Sequence, residues 1–320
     1  MPLTEEQKPE RIARRVAVAL VSLCWLPVAA ARRLPSASET TARFDGNRAY
    51  EHVRHLVEIG PRPPDSDGIH RAQAYIIGQL KSYGCPVEEH DFHASTVLGH
   101  LAMKNIVVKL HGTSTGVVLY TTHYDTVRIP NFVGADDGGS GTGTMIELAR
   151  LFCARKNALN VWIAFFDGEE AQGNWTDGAS VRWNDDGSNN TFGSREMAAR
   201  MALAGELKRV KAMILADMIG PKNAKITRDT GSTRWLTDFI WETAAQLGYQ
   251  HTFIKKDYTV GGDDHFSFIR RGVAGCDLID FSIPYWHTTQ DTLDKIDPQS
   301  LTIVGEVLAA TLPKFEKKFP

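Results

Sequence analysis

The feature that most constrains this chain is an apolar run that ends abruptly in acids. Val161-Trp-Ile-Ala-Phe-Phe166 holds no polar residue and is followed at once by Asp167-Gly-Glu169-Glu170. A short unbroken run rich in β-branched and aromatic residues predicts a strand buried on both faces, which requires helices on each side of the sheet. The pattern recurs. Gly116-Val-Val-Leu-Tyr-Thr-Thr122 leads into His123-Tyr-Asp125, and Ala212-Met-Ile-Leu-Ala216 leads into Asp217. Asp277-Leu-Ile-Asp-Phe281 leads, after a short loop, to His287, and Asn105-Ile-Val-Val-Lys-Leu110 reads as a further strand.

Amphipathic helices separate these runs. Tyr50, Val53, Leu56 and Val57 share one helical face that Gly60-Pro-Arg-Pro-Pro64 terminates, and a second face carries Ile69, Ala72, Tyr75 and Leu80. Further helices are expected over 145–152, 235–247 and 301–312. The predicted fold is therefore α/β: a single-domain three-layer α/β/α arrangement around a mixed, mostly parallel twisted central sheet. Residues 174–191, rich in Gly, Asn, Asp and Ser, read as a long surface insertion.

The N-terminus differs from the body. Lys8, Arg11, Arg14 and Arg15 precede the apolar stretch Val16–Ala31, which Pro27 interrupts. A basic segment, a short apolar run and a small-residue end predict a signal peptide or signal anchor over 1–31, with a flexible leader over 32–47 and the catalytic domain over 48–320. The protein is expected to be exported, secreted or periplasmic, touching a membrane only through an uncleaved N-terminal segment. With 36 basic and 38 acidic side chains and a net charge of -2, no surface is marked for nucleic acid. A monomer is expected. Cys24 falls in the apolar stretch, and Cys85, Cys153 and Cys276 are scattered and odd in number, so buried free thiols are expected instead of a disulfide.

In doubly covered sheets, sites form beyond the carboxyl ends of strands. His123, Asp125, Glu169, Glu170, Asp217 and His287 all fall there, and Asp137 opens the helix after the His123 loop. Singly, each has an ordinary reading: Asp137 as an N-cap, His123 as a hydrogen-bonded strand end, the two glutamates as solvated carboxylates. Together they form a nitrogen-and-oxygen donor set suited to zinc, with an extra glutamate to move protons.

At these residues the sequence resembles the M28 zinc peptidases and, within them, the animal-type glutaminyl-peptide cyclotransferases. The shared segments are Gly60-Pro-Arg-Pro, His123-Tyr-Asp125, Gly134-Ala-Asp-Asp137-Gly-Gly-Ser-Gly, Gly168-Glu169-Glu170, Asp217-Met-Ile-Gly220 and His287-Thr-Thr-Gln-Asp-Thr292. The resemblance implies Asp137, Glu170 and His287 as metal ligands and Glu169 as the acid/base. It also implies His123 and Asp217 as holders of a second metal, with Asp125 orienting His123. The cyclase-like segments imply Trp175 and Trp286 as substrate-binding residues, and Asp217 with Asp263 as an acidic, hydrogen-bonded catalytic pair near Glu169. One Zn2+ is implied for a cyclase acting on peptide or protein N-termini, and two for an aminopeptidase. Where vertebrate cyclases carry a disulfide near the metal, the matching positions here are Thr122 and Thr142.

Overall fold

The computed structural model describes residues 43–178 and 188–320. A six-stranded sheet forms the centre: β1 (Val87–Thr96), β2 (Gly99–Leu110), β3 (Val117–His123), β4 (Asn160–Phe166), β5 (Val210–Ala216) and β8 (Gly275–Leu278), in the order β1-β2-β4-β3-β5-β8. β1, β2 and β4 pair antiparallel, while β3 pairs parallel with both β4 and β5, and β5 pairs parallel with β8. The mixed, mainly parallel sheet is as expected. A separate parallel pair, β6 (Ile226–Asp229) and β7 (Phe253–Tyr258), lies outside it.

Every residue of β3 and β4 is buried, because helices cover both faces. Val118 and Tyr120 of β3 join one apolar cluster with residues of α1 (Gly46–Ile59), α2 (Asp67–Ser82), α3 (Gly139–Cys153), α5 (Arg234–Gln246) and α7 (Pro298–Lys318). Val117 and Leu119 join another, with α4 (Phe192–Leu203) and Phe268 of α6 (Asp264–Ile269). Alternate residues of one strand thus serve opposite layers. β1, at the sheet edge, carries Glu88, Glu89, His90 and Asp91, charges that discourage edge-to-edge pairing.

Two expectations and one alternative reading need correction. First, Cys85 and Cys153 form a disulfide, Cα–Cα 5.5 Å, so they are not free thiols; Cys276 alone among the described cysteines is free, and it is buried. Spacing could not show this pairing, because the end of α2 and the end of α3 meet only in the fold. Second, the folded unit begins before residue 48. Asp45 caps α1 by accepting from Asn47 N at 2.9 Å, and Phe44 is buried over Gly305 of α7. Third, Asp137 does not cap α3: the N-cap is Gly138, in the left-handed region at φ 76°, with no side-chain cap bond. A Cβ on Gly138 would stand 2.5 Å from the Asp125 carbonyl oxygen and 3.1 Å from the His123 ring, so only glycine fits. Residues 1–42, which include the expected signal segment and most of the leader, lie outside the described residues.

Candidate active site

The carboxyl ends of β3, β4 and β5 converge as the topology requires. β3 ends at His123, β4 is followed by Asp167 and the Glu169–Glu170 turn, and Asp217 follows β5. The loop after β8 brings in His287, whose φ of 54° is left-handed, as is Met218 beside Asp217 at 45°. Two non-glycine residues held in that region at one site mark backbone strain imposed by the surrounding structure.

All the predicted ligand-type side chains are buried, and they meet. Asp137, Glu170 and His287 form one group; His123, Asp137 and Asp217 form a second. Asp137 belongs to both. Its Oδ1 lies 3.3 Å from His123 Nε2 and its Oδ2 3.3 Å from His287 Nε2. His287 Nε2 also lies 3.1 Å from Glu170 Oε2, and His123 Nε2 lies 3.0 Å from Asp217 Oδ1. Yet Asp137 Oδ2 and both Glu170 oxygens lack a hydrogen-bond partner among the described residues. Buried carboxylates that crowd imidazoles while several of their oxygens stay unpaired fit cation ligands, and this oxygen-and-nitrogen set suits zinc.

Charge explains the titration behaviour. Burial drives the Glu169 carboxyl well above its usual range, and Asp263, Asp264 and Glu170 add to this against the pull of His123. Burial also lifts Glu170, to about 7, with Asp137 raising it further. Burial opposes the charged form of His287, but Glu170 and Asp137 outweigh it and hold the ring at about 10. Asp137 shifts down, because His123 and His287 together overcome the cost of its burial.

Supporting contacts fix the frame. Asp125 accepts the backbone N–H of Glu169 at 3.1 Å and of Glu170 at 3.3 Å, and its Oδ1 stands 3.5 Å from His123 Nδ1. It therefore orients the glutamate turn, while His123 Nδ1 stands near it without a hydrogen-bond partner among the described residues. Thr122 and Thr142 both donate to the His123 carbonyl, at 3.1 and 2.9 Å, so hydroxyls tie this loop where a disulfide was the family precedent.

A cavity of about 220 Å³ opens beside the ligands, lined by Glu169, Asp217, Asp263, Phe281, Trp286 and His287 among others. Trp286 is 38% exposed at its rim. Trp175 is placed differently: it packs against Val127, Ile129 and Phe132, and its indole N–H donates to the Ala171 carbonyl at 3.1 Å. It is not among the cavity's lining residues. The expected acidic pair faces one cavity, with Asp217 turned to His123 and Asp263 grouped with His265 and Asp277. Of the insertion 174–191, the first residues are fastened to the His287 loop: Asp177 accepts from Thr289 N at 2.7 Å and from Thr289 Oγ1 at 2.8 Å.

The sequence over residues 105–312 matches peptidase family M28. The chain belongs to peptidase family M28. Its M28 relatives include a glutaminyl cyclase from an Acidobacteriales bacterium, 36% identical, whose crystal structure superposes with a TM-score of 0.78 over 88% of this chain and 98% of that one. The glutaminyl-peptide cyclotransferase of Bos taurus is 27% identical over 285 residues, 77% of this chain and 76% of the relative. A Zn-dependent exopeptidase from Parabacteroides distasonis is 25% identical with a TM-score of 0.76, covering 85% of this chain and 99% of that one. The M28 fold thus carries both a cyclase and an exopeptidase likeness.

Two site residues went unassigned in the sequence reading. Arg62 and Asp291 sit inside quoted family segments, but an arginine within a proline-rich turn and an aspartate between a glutamine and a threonine announce no role on their own.

Proposed function

We propose that this M28 chain is an exported, zinc-dependent glutaminyl-peptide cyclotransferase, converting N-terminal glutamine of peptides to pyroglutamate with release of ammonia. The observation that carries the reading is the 36% identity to a glutaminyl cyclase over 98% of that protein, joined to a small cavity with Glu169 and a cluster of cation donors in its wall. Asp137, Glu170 and His287 would hold a zinc ion, which supplies Lewis-acid polarisation of the substrate's side-chain carbonyl.

The chain's own residues do the rest. Trp286 covers the cavity rim and holds the terminal residue. Glu169 accepts a proton from the substrate's α-amine as its nitrogen bonds to the side-chain amide carbon. The same carboxyl returns that proton to the departing amide nitrogen as the carbon–nitrogen bond breaks, so protons balance and ammonia leaves. The raised affinity of Glu169 for a proton suits its return to the leaving nitrogen, with burial, Asp263 and Asp264 sustaining it. Positioning the amine against the amide within one cavity turns the reaction into an intramolecular closure.

The Cys85–Cys153 disulfide supports an oxidising compartment, in keeping with a signal segment over 1–31, and no described helix is long and apolar enough to cross a membrane.

One observation favours a second reading. His123, Asp137 and Asp217 form a complete second buried triad, as a two-zinc aminopeptidase needs. Incubating one zinc-loaded preparation with a glutaminyl peptide and with a leucyl peptide separates the two. Ammonia with a pyroglutamyl product and no leucine establishes cyclisation; free leucine without ammonia overturns it in favour of hydrolysis.

A further inference from the structure

The loop 133–137, which presents Asp137, is gripped from two sides by side chains of opposite charge. On one side is Arg62, 0% exposed. Its Nη1 donates to the carbonyls of Val133 at 2.7 Å, Leu56 at 3.2 Å and Gly60 at 3.2 Å. Its Nη2 donates to Gly134 O at 3.0 Å, and its Nε to Tyr124 O, beside His123, at 3.1 Å. On the other side is Asp291. Its Oδ1 accepts from Asp136 N at 2.8 Å, its Oδ2 from Asp137 N at 3.0 Å, and its carbonyl from Ala135 N at 3.3 Å. A guanidinium holds the carbonyls at the start of the loop, and a carboxylate holds the amides at its end. The peptide groups between them cannot turn without breaking charge-assisted bonds.

We infer that Arg62 and Asp291 are positioning residues that set the affinity of the site for its metal ion by fixing Asp137 from opposite sides. Because Asp137 faces both His123 and His287, the clamp governs both triads at once. Arginine is required on its side, since five contacts in a planar fork cannot be made by the point charge of a lysine. The inference rests on the metal-binding part of the proposed function and not on the choice between cyclisation and hydrolysis.

The test is zinc affinity, measured by competition with a chromophoric chelator on the whole protein at a temperature where each variant is folded. Asp291→Asn and Arg62→Lys are expected to bind zinc about ten- to hundredfold more weakly, the range typical for lost outer-sphere partners. Leu308→Ala, a cavity at a buried position of α7 that contributes no residue to either triad, is the control: it should lower the melting temperature and leave zinc affinity unchanged. If Arg62→Lys does not fold, Asp291→Asn carries the test alone. Wild-type affinity in Asp291→Asn, or an equal loss in Leu308→Ala, overturns the clamp. A wild-type protein that binds no zinc overturns both the clamp and the metal reading. Zinc binding that weakens in the variants, without turnover of either peptide, upholds the clamp and removes only the activity.

Discussion

Trp286 stacks on His287, with ring centroids 4.0 Å apart and planes 25° from parallel. Phe281 meets the outer part of the same indole edge-on at 5.2 Å. A histidine of the metal group is therefore covered by the ring that forms the cavity rim. Trp286→Ala is expected to raise KM about fivefold, from loss of about 1 kcal/mol of aromatic contact, while Trp286→Phe retains most binding. Steady-state kinetics on glutaminyl peptides decide it; an unchanged KM in Trp286→Ala would remove the ring from substrate binding.

Glu169→Gln keeps the shape of the cavity and deletes its proton carrier. Turnover should fall about 10²–10⁴-fold with zinc content unchanged. Rate and metal content measured on the same sample check this, and near-normal activity would exclude Glu169 from the chemistry.

The two triads predict different responses to histidine loss. His287→Ala should lower both metal content and rate. His123→Ala should leave a one-zinc cyclase with much of its activity and silence a two-zinc peptidase. Metal analysis beside the paired peptide assay reads both.

His52, on the buried face of α1, predicts a pH dependence of stability. Burial chiefly, then Arg48 and His55, lowers its folded pKa from 6.5 to about 4, while Tyr75 Oη lies 2.7 Å from its Nδ1. Between those values the unfolded chain binds a proton that the folded one refuses. Its contribution is complete above pH 6.5 and is lost as pH falls toward 4, about 3 kcal/mol in all. Urea unfolding of wild type and His52→Gln should converge across this window; a constant difference between them would contradict the assignment.

The disulfide closes a loop with a sequence separation of 68, and loop-closure entropy places its worth at about 4 kcal/mol. Replacing Cys85 and Cys153 together by serine should lower unfolding free energy by up to that amount and leave zinc affinity intact. Denaturant titration with chelator competition tests both halves.

Much of this was legible in the chain because strand burial and site chemistry share one pattern. The apolar run ending at Phe166 gave both a central strand and the position of Glu169 and Glu170 at its carboxyl end. Where that coupling is absent, reading failed. β1, with charged residues at an exposed edge, and the short β6 and β7 carry no apolar run to find. α4 has almost no segregation of polar and apolar faces, so its helical period is silent. Arg62 shows the limit most clearly: its partners are carbonyls scattered from Leu56 to Gly134, and backbone acceptors leave no trace in residue identity.

The sharing of Asp137 has a further consequence. With His123 and Asp217 on one side and Glu170 and His287 on the other, the chain holds complete donor sets for one-ion and two-ion chemistry around a common carboxylate. On the proposed reading, ring closure with loss of ammonia and the splitting of a peptide would call on the same ligands and differ in the rim and in ion occupancy. The carboxylate that both groups share would then be the fixed point of either chemistry, and the rim around Trp286 the place where they part.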